Sequence, residues 1–166
     1  FGRGTTFSGD EVAWVVTSPN LDLQTALYPH GGHLELVSRV TYSVLLNVFG
    51  LDYLPFRLLT AVAVCLTSGL LFAWLSSRVP RVVALVPCFI LLFFGSDPLH
   101  ALQGNGFTVL LAISLGLAAL LALQRDDHAG DLTASVLLVF SIATYGVALA
   151  FLAGAVVAVL TSDYRR

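Results

Sequence analysis

The chain has no methionine, no lysine, few charges of either sign and only two cysteines. Each shortage excludes something. A translated chain ordinarily starts at Met, so a sequence that never uses Met is expected to be a piece of a longer protein. All 8 basic residues are Arg and the net charge is −2. With no basic patch, nucleic acid is not an expected partner. Charged residues make up 11% of the chain, against about 25% in ordinary soluble domains. Cys65 and Cys88 lie inside apolar stretches and read as small buried hydrophobes; their spacing matches no zinc site. The first ten residues are polar and Gly-rich, unlike the basic-then-apolar pattern of a cleavable signal peptide.

What is present is length of apolar run. Residues 56–77, 81–95, 105–124 and 132–161 are almost wholly Leu, Val, Ala, Phe, Ile and Gly. Mean hydropathy is +0.89 and 57% of residues are hydrophobic. A helix crosses a hydrocarbon core with roughly 20 apolar residues. The pattern predicts an all-α, polytopic transmembrane helix bundle of about five helices over residues 56–162, preceded by an outer-face loop over 1–33 and an interfacial amphipathic helix over 34–50. In that helix Leu36, Val37, Val40, Val44, Leu45 and Val48 recur at three- and four-residue steps, with Glu35, Ser38, Arg39, Tyr42, Ser43 and Asn47 on the other side. A charged face suits a helix lying on the membrane; a crossing helix with its polar side packed inward is the alternative. The last run is too long for one upright crossing. It reads as two helices meeting at Thr144-Tyr145-Gly146, or as one tilted helix. Residues 124–131 read as a polar loop, with Asp131 or Thr133 capping the helix that follows.

Arginines mark alternate breaks: Arg78 and Arg81, then Arg125, then Arg165 and Arg166. Arg-bearing loops favour the cytoplasm. This predicts a multi-pass protein of the cell membrane with residues 1–55, 96–104 and 144–146 on the extracytoplasmic side and 124–131 inside. The middle of every apolar run lacks ionisable residues. Ion-coupled transporters usually carry charge near the midplane, so an enzyme acting at the outer interface is the better expectation. A transporter or flippase module is the alternative, and a non-catalytic membrane segment is a third.

Three clusters offer chemistry. Asp10-Glu11 precedes a stretch, residues 11–17, expected to form one or two helical turns. Such acids serve as a general base or hold a divalent cation, or simply compensate a helix N-terminus. His30 and His33, separated by Gly31 and Gly32, can sit near a phosphate or sugar, or stay solvated. Ser96-Asp97-Pro98 is an acid in an outer loop, or only a turn. Gly104-Asn105-Gly106 reads as a helix start, and Asp126-Asp127-His128 as a solvated inner loop without a catalytic role.

The order of these features resembles the N-terminal part of the GT-C superfamily of membrane glycosyltransferases, of the protein O-mannosyltransferase and aminoarabinose-transferase types. An outer Asp-Glu pair is followed by a His/Gly segment and by a helix ending LLNVFGLDYLPFRLL; an outer Asp-Pro loop and a helix pair joined by Thr-x-Gly come later. The likeness covers nearly the whole chain, but each motif is short. It implies transfer of a sugar from a polyprenyl-phosphate carrier to an acceptor at the outer face, with membrane lipids around the protein. It assigns Asp10, with Glu11 beside it, and Asp97 as catalytic acids; if Asp10 and Asp97 serve one site, the loop before the surface helix is expected to fold back over residues 96–104 and bring them into one cleft. His30, His33, Arg39, Arg57 and Gln103 are expected to bind the donor, whose lipid phosphate needs cations or hydrogen-bond donors. The Lys that some relatives carry between Thr144 and Gly146 is replaced here by Tyr145, which weakens a phosphate role for that turn.

Overall fold

The computed structural model describes residues 7, 9–18, 22–27, 29, 34–93, 106–125 and 127–162. Among these the regular structure is helical and no strand occurs. The helices are α1 (Asp10–Thr17), α2 (Leu23–Leu27), α3 (Leu36–Phe49), α4 (Leu54–Ser76), α5 (Arg81–Phe93), α6 (Gly106–Ala122), α7 (His128–Thr144) and α8 (Ala148–Ser162), with a short 3-10 turn at Leu123–Arg125. Two helical segments are long and apolar enough to cross a membrane: Leu54–Ser76, 23 residues, and Gly106–Arg125, 20 residues. At 1.5 Å per residue they are about 34 and 30 Å long.

Local chemistry sets the boundaries. Gly50 ends α3 with φ of 62°, and its N–H donates to Leu46 O at 2.9 Å; a residue with a Cβ rarely adopts that conformation. Asp52 Oδ1 accepts from Leu54 N–H at 3.0 Å and Pro55 occupies the first turn of α4, where a missing N–H costs nothing. The apolar run from 132 onward divides at Tyr145, whose extended backbone separates α7 from α8.

The start of α7 corrects the expected loop over 124–131. The helix begins at His128, and the cap is Asp127 rather than Asp131 or Thr133. Asp127 is extended and its carboxylate accepts from Gly130 N–H. Gly130 fits because a Cβ there would lie 2.6 Å from Ala122 O and 2.9 Å from Asp127 Oδ1. Asp131 falls in the first turn instead, where an acid complements the helix dipole.

The centre of the bundle is α6, which packs against α4, α7 and α8, while α5 leans on α4 alone among its main neighbours. Small and hydroxyl side chains of α6 face inward: Thr108, Ala112, Ser114, Gly116, Ala119 and Ala122. They let neighbouring backbones approach and form hydrogen bonds between helices. Thr67 Oγ1 of α4 has Ala63 O of its own helix at 2.7 Å and Leu110 O of α6 at 3.1 Å as acceptors for its one proton, and lies 2.8 Å from Ser114 Oγ, which can donate to it; Ser141 Oγ of α7 donates to Ala112 O at 2.7 Å. At Gly116 the ring of Phe151 on α8 occupies the space a Cβ would need.

Burial is inverted relative to a water-soluble bundle. Thr60, Thr67, Ser114, Ser141 and Thr144 are buried, whereas Val62, Phe89, Phe93, Val139 and Leu160 are more than half exposed. The same inversion governs α3. Its polar side chains Ser38, Arg39 and Tyr42 are buried, and Val40, Val44 and Val48 are exposed. The charged face therefore points into the protein, not outward as a helix resting on the membrane surface would direct it.

Candidate functional site

With α4 and α6 running parallel and α7 antiparallel to them, the bundle has two chemically distinct ends. Phe56 at the start of α4 and Phe107 at the start of α6 share one apolar cluster. At the far end of the same two helices Arg78 meets the Gln124 amide, whose oxygen, with the amide turned over to face the guanidinium, accepts from Nη1 at 3.0 Å and Nη2 at 3.2 Å.

The first end is built on α1. Glu11, Trp14 and Ser18 recur at three- and four-residue steps, so they share one face of that helix, and all three are buried. Tyr42, Arg39, Ser38 and Glu35 share one face of α3 by the same spacing and are also buried. The two faces meet: the Trp14 ring stands edge-on to Tyr42 at 5.0 Å. Tyr42 packs against Phe56 at 4.9 Å, and Phe7 sets its edge against Tyr53 and Phe56 at 5.0 Å. Inside this aromatic wall lies the Glu11 carboxylate, 0% exposed. The Tyr53 hydroxyl is 3.2 Å from Oε1 and 3.3 Å from Oε2, so its single proton is shared across the carboxylate. Tyr42 donates to Oε1 at 3.5 Å. Burial, then the negative charge of Glu11 and the neighbouring Tyr53, push the Tyr42 phenol well above its ordinary value of 10.0, so it remains a proton donor.

A second group in the same α1–α3 seam is unsatisfied. Arg39 is 5% exposed, and its Nε has no hydrogen-bond partner among the described residues. Ser18 Oγ and Ser38 Oγ are buried in the same condition. Unpaired buried donors are costly, and each calls for an explanation. Together they place unmet donor capacity on the buried faces of α1 and α3.

The sequence-derived site divides accordingly. Glu11 lies on the buried face of α1 and Arg39 on the buried face of α3, and these faces meet at Trp14 and Tyr42. Asp10 is the first residue of α1, one position from Glu11, and its side chain lies outside the described residues. Arg57, half-buried, is on the first turn of α4, next to the Tyr53–Phe56 corner. Asp97, His30, His33 and Gln103 lie outside the described residues, and with them the expected convergence of Asp10 and Asp97. Tyr42, Tyr53, Ser18 and Ser38 were not singled out from the sequence as site residues. The periodicity of α3 contains the signal, since Glu35, Ser38, Arg39 and Tyr42 share one side, but spacing alone fits a helix lying on the membrane as well as one with its polar side packed inward. No group of three or more His, Cys, Asp and Glu able to hold a metal ion occurs among the described residues.

The opposite end is simpler. Arg78 lies 4.0 Å above the Trp74 ring and donates to Trp74 O at 2.7 Å and Ser77 Oγ at 3.0 Å. Arg125 pairs with Asp127 at 3.2 Å; both are exposed, so the pair adds little stability. The N–H of Gly130, then the charge of Arg125, hold the Asp127 carboxyl below its ordinary value.

Compared with protein-family models, with curated proteins and with solved structures, the chain shows no match to any of them.

Proposed function

We propose that the chain belongs to a multi-pass membrane glycosyltransferase of the GT-C type that takes a sugar from a polyprenyl-phosphate carrier, with the Glu11 end on the extracytoplasmic side. The observation that carries this reading is the α1–α3 seam, where a buried acid and a buried arginine with unmet donor capacity lie at one end of an inside-out helical bundle. The exposed valines, leucines and phenylalanines of α4, α5, α7 and α8 are faces suited to lipid. Arg78, Arg81 and Arg125 at the other end favour that end as cytoplasmic.

In this mechanism Asp10 takes the proton of an acceptor hydroxyl or amine. The freed oxygen or nitrogen attacks the anomeric carbon of the donor. The bond from that carbon to the phosphate oxygen breaks, and its electron pair leaves with the lipid phosphate. Arg39 supplies the positive charge that stabilises the departing phosphate, a large effect in a site from which water is excluded. Glu11 acts from behind: held by Tyr53 and Tyr42, it fixes the helix on which Asp10 stands. Asp97, His30, His33, Arg57 and Gln103 remain the candidates for completing donor binding.

A transporter needs a polar path near the midplane. The hydroxyls there, Thr67, Ser114 and Ser141, are engaged in bonds between helices instead, so the enzyme reading is favoured. The test is sugar transfer by the whole protein in proteoliposomes. Asp10→Asn is expected to lower turnover by 100-fold or more, on the order of what general base catalysis contributes. Arg39→Gln is expected to lower it with the donor bound less tightly. Near-normal turnover of Asp10→Asn would remove this mechanism.

A further inference from the structure

A groove of about 490 Å³ runs between α4, α5, α6 and α8, far from the α1–α3 seam. It reaches from Thr67 and Ile113 at mid-height to Trp74 and Leu120 near the Arg78 end, and Thr67 is its single hydroxyl. Thr67 is already bonded to Ala63 O and Ser114, so the walls offer a ligand hydrocarbon contact and little else. The rim is different. Trp74 forms one wall, and the Arg78 guanidinium rests on its ring. The acceptors around Arg78 are neutral: Trp74 O, Ser77 Oγ and the Gln124 amide. Three residues on, across the Pro80 turn, exposed Arg81 opens α5. Neither arginine forms an ion pair with a carboxylate among the described residues, whereas nearby Arg125 is matched by Asp127. An apolar slot thus ends beneath two uncompensated positive charges.

We propose that this groove holds an acyl chain of an anionic phospholipid whose phosphate sits on Arg78 and Arg81. The proposal rests on the reading that α4, α5, α6 and α8 lie in a bilayer. Charge selects the occupant: a zwitterionic lipid fills the slot equally well but gains less from the two guanidinium groups.

Trp74 reports on the groove directly. In nanodiscs, with Trp14→Phe leaving Trp74 as the single indole, phosphatidylglycerol brominated on its acyl chains is expected to quench Trp74 more strongly than brominated phosphatidylcholine. The preference should be about fivefold per contributing arginine, and Arg78→Gln with Arg81→Gln should abolish it. Native mass spectrometry of the unsubstituted protein gives the same comparison without relying on Trp14→Phe, as retention of phosphatidylglycerol over phosphatidylcholine. Equal quenching and equal retention of the two lipids, or a preference that survives loss of both arginines, overturns the proposal while leaving the membrane reading intact. Quenching by neither lipid overturns both.

Discussion

A carboxylate with no exposure to solvent depends on its donors, and Glu11 has the hydroxyls of Tyr53 and Tyr42 within hydrogen-bond reach. Tyr53→Phe leaves a buried acid short of a donor and is expected to cost about 1–3 kcal/mol, read as a lower denaturation midpoint by helical circular dichroism in detergent. Glu11→Gln keeps an acceptor for Tyr53 and should cost less than Glu11→Ala. An unchanged midpoint for Tyr53→Phe would mean the hydroxyl contributes nothing to holding α1. Tyr42 adds a pH signature. Its phenol titrates higher in the folded protein than the ordinary 10.0, so the folded state keeps a proton that the unfolded state loses. Its stabilising contribution is complete below pH 10 and declines as pH rises above that value. Ultraviolet absorbance of tyrosinate should therefore show one phenol ionising only with unfolding, and Tyr42→Phe should remove that component.

At the scale of elements, helix contacts in this bundle are set by what side chains leave out. Gly116 gives its Cβ space to the Phe151 ring. Gly116→Ala overpacks the α6–α8 contact and is expected to cost about 1–3 kcal/mol. In a Phe151→Ala background the same change should cost less, with a coupling of about 0.5–3 kcal/mol between the two sites; additive costs would show that the ring moves aside freely. The Asp127 cap carries its own sign. Its carboxyl is held below the ordinary 3.8, so its contribution is present above that pH and is lost as pH falls through the lower folded value. Asp127→Ala should lower the midpoint at neutral pH, and the gap from the parent protein should close in acid. The cap was hidden in the sequence because Asp126, Asp127 and Asp131 all precede the apolar run; the close fit of Gly130 against Ala122 O chooses among them, and that fit exists only after α6 and α7 have packed.

Across the whole molecule, the helices were legible because long apolar runs broken by Arg, Pro and polar residues need no partner to be recognised. The inward side of α3 was not, because the usual rule places charge toward water and this chain buries Arg39 while exposing Val44 and Val48. Glu11 was visible as one of an acid pair, but the tyrosines around it lie 31 and 42 residues away along the chain, a distance no local pattern spans. The alternation of arginines is a claim about sidedness, and the parallel run of α4 and α6, with α7 antiparallel to both, makes it testable. Phe56 and Phe107 share one end with Tyr42, and the bond of Ser141 to Ala112 carries α7 toward that same end, where Tyr145 follows. Val79 and Asp127 lie at the other, beside Arg78 and Arg125. With Cys65→Ala and Cys88→Ala as background, a single cysteine at Tyr145 is expected to react with a membrane-impermeant maleimide on intact cells. Cysteines at Val79 or Asp127 should react only after permeabilisation. Labelling of 145 and 127 from the same side would break the antiparallel crossing of α7, and labelling of 79 and 127 but not 145 on intact cells would turn the protein over and put the Glu11 seam on the wrong side for an extracytoplasmic sugar donor.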